Sequence, residues 1–429
     1  MRLSAGSLPL SRACRRLRAS VSVRWSSSSS VYCWGDASTS SLPGVPSTSS
    51  SVSSPRAVNL EEVKEAHGVA PDYELKFVSV GKSSSTALVF SSPEEGKADL
   101  AALYGSNKYV GSGRLSVEAG PLVGIDQLVV GESSAAVTGV DESGDRLSLS
   151  WGFPGSALNG FGQLALGAKM SDEGKDFVEL PAVVSSLVED ETPLDEIGIG
   201  QSHIVGLCTA TNEVLTAGSG QYGRLGNVDS VDQLYFEPVE YLTTIAGASY
   251  AQVSVGGAFT LVRTEDGRVF SWGKNDKGQL GLGGGLSMDV YAMESMPNLI
   301  DEFSDSNINV VHVSAGKNHA AAVGEEGGLY VWGGKSNFLS PELITDLPEE
   351  AAWCGCGENF TIIKGRSGSV YSMSHGGSGG GVKVGCLGRG VVKGDRKPQL
   401  LASLEEDVTG GKVKDIVVGW KHVAVTVEK

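Results

Sequence analysis

Apolar and polar residues alternate up to a terminal glycine again and again along the chain. The stretch VFSWG (269–273) recurs as VYCWG (31–35), LSLSWG (147–152) and LYVWG (329–333). Looser copies are AALYG (101–105), EVLTAG (213–218) and SVYSMS (369–374). A period of two closed by glycine predicts a half-buried strand running into a tight turn. The four clear copies place Trp34, Trp151, Trp272 and Trp332 at one structural position and Gly35, Gly152, Gly273 and Gly333 at the next.

A second β-type run precedes these strands and ends in glycine, two residues, then His, Phe or Ser. Its glycines are Gly81, Gly131, Gly200, Gly256, Gly316, Gly357 and Gly419, so it too occurs seven times. His203, His319 and His422 share the position that Phe259 and Phe360 take in other copies, which marks it as a packing position. Between the two elements lie Glu95-Gly96, Ser143-Gly144, Asp266-Gly267, Glu326-Gly327 and Ser367-Gly368, with Thr211-Asn212 in the fourth copy. These are two-residue hairpin turns. A third element follows the tryptophan strand: GQLG (278–281), GRLG (223–226), GRLS (113–116), GQLALG (162–167) and GCLG (385–388). Leu280 and its counterparts are expected to plug the space between adjacent sheets, with glycines such as Gly281 letting the backbone turn beneath them.

The two ends complete each other. The stretch IVVGWKHVAVTVEK (416–429) has no hairpin or tryptophan strand after it, and VYCWGD (31–36) has no glycine-x-x-His element before it. Joined, they make one unit. The expectation is an all-β, seven-bladed β-propeller whose ring closes by pairing N- and C-terminal strands in one blade, which removes exposed sheet edges.

Composition supports this and adds a targeting signal. The chain has 429 residues, with 59 glycines and 15 prolines, and no apolar run reaches the length of a membrane span. Residues 1–30 hold six arginines, no lysine and no acid among many serines. That is the composition of a cleaved transit peptide, mitochondrial first and plastid second. Residues 31–429 are then the propeller. Taking those six arginines from the 34 basic residues leaves 28 against 50 acids, a net −22, which disfavours non-specific nucleic-acid binding. The six cysteines form neither a disulfide framework nor a CxxC zinc site. Cys354 and Cys356 would share one face of a strand, as buried thiols or a redox pair.

With SWGKNDKGQLGLG (271–283) flanked by VSVGGAFTLVRTEDGRV, the chain resembles the regulator of chromosome condensation repeat family over roughly residues 31–429. The resemblance implies four-stranded blades and is strongest in layout for the mitochondrial members. The family includes the exchange factor for the GTPase Ran, the plant UV-B photoreceptor, ubiquitin-ligase subunits, a bacterial protein inhibitor of β-lactamase and mitochondrial biogenesis factors. Fold alone does not choose among these roles.

Sharper chemistry is not indicated. No Walker A spacing surrounds Gly81-Lys82-Ser83, and no catalytic triad or paired-carboxylate site can be assigned. No catalytic residue, metal or cofactor is expected. Of the tryptophans, Trp420 in GWKH alone resembles the photoreceptor's clustered motif. Binding is left, and two connectors stand out. Residues 169–196 carry nine acids against two lysines and suit a basic partner. Residues 286–303 offer Met288, Tyr291, Met293, Met296 and Phe303 as candidate partner contacts. The expected function is a non-catalytic, mitochondrial protein-interaction propeller, an assembly or regulatory factor for ribosome, RNA or respiratory-complex biogenesis. The alternatives are guanine-nucleotide exchange on an organellar GTPase and salt-sensitive contact with RNA.

Overall fold

The computed structural model describes residues 29–428 apart from 39–41, 44, 46–48, 50, 83–84, 95, 108–110, 113–116, 119–120, 157–159, 168–177, 185–186, 188–191, 284–292, 335–337, 376–384, 391–395, 403 and 405–411. Among the described residues, seven antiparallel sheets of four or five strands follow one another in chain order, with a two-stranded pair, Gly155–Ser156 and Gly160–Phe161, beside the third blade. Blade 5 shows the plan: Tyr250–Val255 lies innermost, then Phe259–Thr264, Val269–Lys274 and Met293–Leu299 outermost.

Blade 1 closes the ring as expected. Its inner strands are Lys412–Val418 and His422–Glu428, and its outer strands are Ser29–Asp36 and Ser51–Val58. The closing register runs from Ser29 opposite Glu428 to Gly35 opposite His422. Pairing therefore includes Ser29 and Ser30, two residues before the expected start of the propeller at Val31. An eight-residue helix, Leu60–His67, capped by Asn59 and Gly68, carries the chain to blade 2.

The core lies in the seams between blades. One cluster joins Val205, Leu207 and Val214 of blade 4 to Val253, Val262 and Trp272 of blade 5. The repeated tryptophans seal these seams. Trp272 Nε1 donates to Arg224 O at 3.0 Å, Trp332 Nε1 to Gln279 O at 3.0 Å and Trp34 Nε1 to Cys386 O at 2.8 Å. Each acceptor precedes the buried leucine of a preceding blade's G-x-L-G turn: Leu225, Leu280 and Leu387. The turn's last glycine is fixed by this contact. At Gly281, with φ +73°, an added Cβ would sit 2.8 Å from Trp332 Nε1.

The hairpins follow the expected chemistry, with Gly267 at φ +82° and Asn212 at φ +58°. The glycines ending the inner strands have a different cause. A Cβ at Gly256 would lie 2.1 Å from the Phe259 ring, because the residue three places on folds back over the glycine.

An innermost strand is a sheet edge, so its outward N–H and C=O groups need partners. Neighbouring blades supply them. Gln127 exchanges hydrogen bonds with Ile197, and Gln252 does so with Val313. Glu196 accepts from Val253 N, and His312 Nε2 lies 2.8 Å from Cys354 O. These polar side chains couple successive blades around the ring.

Candidate partner-binding face

All seven glycine-x-x turns meet on one face around the axis. Lys82 N donates to Val130 O, Gln201 N to Gly257 O, Lys317 N to Gly357 O and Glu358 N to Trp420 O. The residue directly after each glycine is therefore axial: Lys82, Glu132, Gln201, Gly257, Lys317, Glu358 and Trp420. Their side chains meet across the ring. Lys82 Nζ of blade 2 donates to Val255 O of blade 5 at 2.9 Å. Lys317 Nζ of blade 6 lies 3.8 Å from Glu132 of blade 3 and 3.7 Å from Glu358 of blade 7. Both ammonium groups approach the Trp420 ring, at 5.9 and 5.1 Å from its centroid.

The sequence drew attention to Lys82 and Trp420 singly but did not show that the residue after each glycine forms one axial set. The signal was present, since this position takes five residue types in seven copies. A repeat conserves what every blade needs and varies what only the assembled axis uses.

The axial cluster is a plug. Burial draws the Lys82 pKa down to about 8, but its ammonium is already bonded to a carbonyl. Burial pushes the thiols of Cys33 and Cys356 up to about 12 and those of Cys354 and Cys386 well above their ordinary value. Protonated thiols are poor nucleophiles and ligands. Cys354 and Cys356 share one buried cluster as free thiols. Among the described residues, no group of three His, Cys, Asp or Glu side chains could hold a metal.

The repeated histidines are packed and neutral. His203 Nε2 lies 3.3 Å from Thr260 Oγ1, His319 Nε2 3.2 Å from Thr361 Oγ1 and His422 Nε2 2.8 Å from Ser85 O, each on the following blade. Burial lowers the His319 pKa to about 3 and the His422 pKa to about 4, and holds His203 well below its ordinary value. Where the position is Phe the facing residue is apolar: Phe259 shares a core cluster with Ala320, and Phe360 with Val423.

The same face carries exposed apolar residues on blades 4 and 5, and the Tyr235 ring lies over Gly167 of blade 3. Tyr222 sits at φ +61° and is 45% exposed, a conformation that costs a bulky side chain energy. Its ring is flanked by Lys274 Nζ at 4.9 Å and the Arg224 guanidinium at 5.4 Å. Lys274 pairs by backbone with Met293, which is 44% exposed. The Val228–Val231 side of the loop folds back towards Gly220, whose Cβ would meet Val231 O at 2.4 Å. Val228, Val231 and Tyr235 are all exposed.

Of the contacts expected from sequence, Met293 is among these exposed residues and Met296 is half-buried on the same strand. Met288 and Tyr291 lie outside the described residues. Phe303 is not a contact. It is 1% exposed, edge-on to Tyr330 at 5.5 Å and Trp332 at 5.9 Å, because the short helix Asp301–Asp305 turns it into the core. Most of the acidic connector at 169–196 also lies outside the described residues. Within it, Val184, Leu187 and Leu194 are buried. Tyr222, Val228 and Val231 had no periodic signature, being exposed through loop geometry, and Tyr235 is exposed on the outer strand Gln233–Pro238.

Comparison with known proteins fits this architecture. The "Regulator of chromosome condensation (RCC1) repeat" family matches residues 266–323, and a second description of that repeat matches 250–279 and 310–338. The chain is 31% identical over 253 residues to the Ultraviolet-B receptor UVR8 of Arabidopsis thaliana, covering 56% of this chain and 52% of the receptor. It is 29% identical over 265 residues to the E3 ubiquitin-protein ligase HERC2 of Homo sapiens, covering 59% of this chain and 5% of the ligase. The chain thus spans about half the length of the receptor and a small part of the ligase. Prp20p from Saccharomyces cerevisiae, whose structure is described with its binding properties to Gsp1p and histones, superposes with a TM-score of 0.72. Identity is 16% over 95% of this chain and 93% of that one, a likeness of fold. Residues 250–338 thus carry repeats of the regulator of chromosome condensation kind, in a seven-bladed ring whose fold is like that of Prp20p.

Proposed function

We propose that the chain is a non-catalytic protein-interaction propeller that works as an assembly or regulatory factor in the mitochondrion. The observation that carries this reading is the exposed Tyr222 ring beside Lys274 and Met293, on the face where Val228 and Val231 are also exposed. Exposed tyrosine rings of this kind serve protein contacts, since they bury large area at low side-chain entropy cost. Holding Tyr222 at positive φ with its ring outward costs stability, and a partner that buries the ring offsets that cost. Prp20p, which shares the fold, is described through protein partners.

Proximity labelling in mitochondria, comparing the chain with its Tyr222→Gly variant, tests the reading. A set of neighbours lost with the ring supports it; an unchanged set removes this surface from the account. Release of labelled guanine nucleotide from organellar GTPases by substoichiometric protein would replace the scaffold reading with exchange. The compartment rests on the arginine-rich, acid-free residues 1–30. A reporter fused to them that stayed cytosolic would remove it.

A further inference from the structure

A groove of about 350 Å³ opens on the hairpin face, opposite the face just described, where blade 6 meets blade 7. Its lining pairs the apolar Leu329, Ile344 and Leu347 with Glu326, Glu349 and Glu350. Leu329 is fully packed, while Ile344 and Leu347 lie half-buried on the same core cluster.

The acidic part of the lining is built. The Glu349 carboxylate accepts from Ser367 N at 2.8 Å, Ser367 Oγ at 2.7 Å and Tyr371 Oη at 2.9 Å. Burial opposes its ionisation, but these hydrogen bonds hold its pKa below the ordinary value. The carboxylate lies directly over Gly365, where an added Cβ would come within 2.2 Å of its carbon. Glu350 pairs with Arg366, whose Nη2 also donates to Glu325 O at 2.7 Å. Glu326 is exposed at the hairpin tip, and Glu325, Glu342 and Asp346 of the same blade are exposed too. Lys397 lies 3.2 Å from Asp346.

An aliphatic lining beside carboxylates fits one kind of visitor. A lysine or arginine can lay its methylene stem on Ile344 and Leu347 while its head meets Glu326, beside Glu349 and the Arg366-paired Glu350. We propose that this groove docks a basic segment of a partner protein in which lysine or arginine stands beside an aliphatic residue. It rests on the protein-binding reading above and adds a second surface with its own chemistry. Failure here leaves the Tyr222 surface untouched, because the two are measured separately.

The test is fluorescence polarisation of a short labelled peptide of alternating lysine and leucine, with a glutamate–leucine peptide as counterpart, on the full chain. The lysine peptide is expected to bind, and more weakly as salt rises from about 50 to about 500 mM. Glu326→Lys is expected to weaken it about tenfold, Glu326→Gln less, and Ile344→Ser several-fold. Glu65→Lys, on the helix of blade 1 at the same face, is expected to leave binding unchanged. Thermal melts of each variant separate lost folding from lost binding. No binding, equal weakening by Glu65→Lys, or full binding by a folded Ile344→Ser variant would overturn the proposal.

Discussion

His203 Nε2 of blade 4 faces Thr260 Oγ1 of blade 5 at 3.3 Å, inside a seam where both residues are fully buried. The pairing recurs as His319 with Thr361, and its apolar counterpart as Phe259 with Ala320 and Phe360 with Val423. The chain thus carries two interchangeable solutions for one seam. His203→Phe alone should leave the Thr260 hydroxyl buried without a partner, at a cost of about 1–3 kcal/mol. Adding Thr260→Ala should recover most of that. Urea unfolding of both single variants and the double variant measures the coupling, and purely additive losses would contradict the pairing.

Acid should loosen the ring. His203, His312, His319, His375 and His422 are buried with pKa values lowered by desolvation, His312 and His422 to about 4 and His319 to about 3. Their unfolded value is about 6.5, so the unfolded chain binds more protons between these limits. The stability they contribute is present above the unfolded value and is lost as pH falls towards 4 and below. Melting temperature should drop across that window, and a flat profile from neutrality to pH 4 would refute the assignment.

Glu196 should act in the opposite sense. Burial pushes its carboxyl up to about 7, against the hydrogen bond from Val253 N and the charge of Arg263. Its contribution is present below the unfolded value of about 4.3 and lost as pH rises through 7. Glu196→Gln keeps an acceptor for Val253 N and removes the charge. The variant is expected to melt higher than the parent above pH 7 and no higher at pH 4, as followed by circular dichroism.

Gly281 tests the tryptophan seam. Alanine there meets both a left-handed backbone and the Trp332 indole at 2.8 Å. Gly281→Ala should cost about 1–3 kcal/mol for the backbone strain alone, with displacement of the indole added. The readouts are the unfolding midpoint and Trp332 fluorescence. Gly283→Ala is the control, since it shares a positive φ but meets nothing within 4 Å; equal losses would deny the indole a part.

The fold was legible because each blade repeats what every seam demands: Trp272 with its carbonyl, Leu280 in the gap, Gly281 beneath the indole, Gly267 in the hairpin. Physical constraints that recur leave a period. The candidate sites carry no period. Lys82, Glu132, Lys317 and Trp420 gain meaning when the ring brings distant repeats to one axis, and Tyr222 does so through a single backbone angle. Phe303 misled for a related reason: a connector read as solvent-facing hid a short helix that turns the ring inward.

Tyr222→Gly separates function from stability most directly. Glycine accepts φ +61° without strain, so stability should hold or rise by about 1 kcal/mol while the exposed ring is removed. The decisive measurement is capture of partners from mitochondria by the full chain and by a folded Tyr222→Gly, Met293→Ser variant. Loss of the captured set with an unchanged melting temperature is expected. An identical set captured by the folded variant would contradict the claim that this face is where the propeller works.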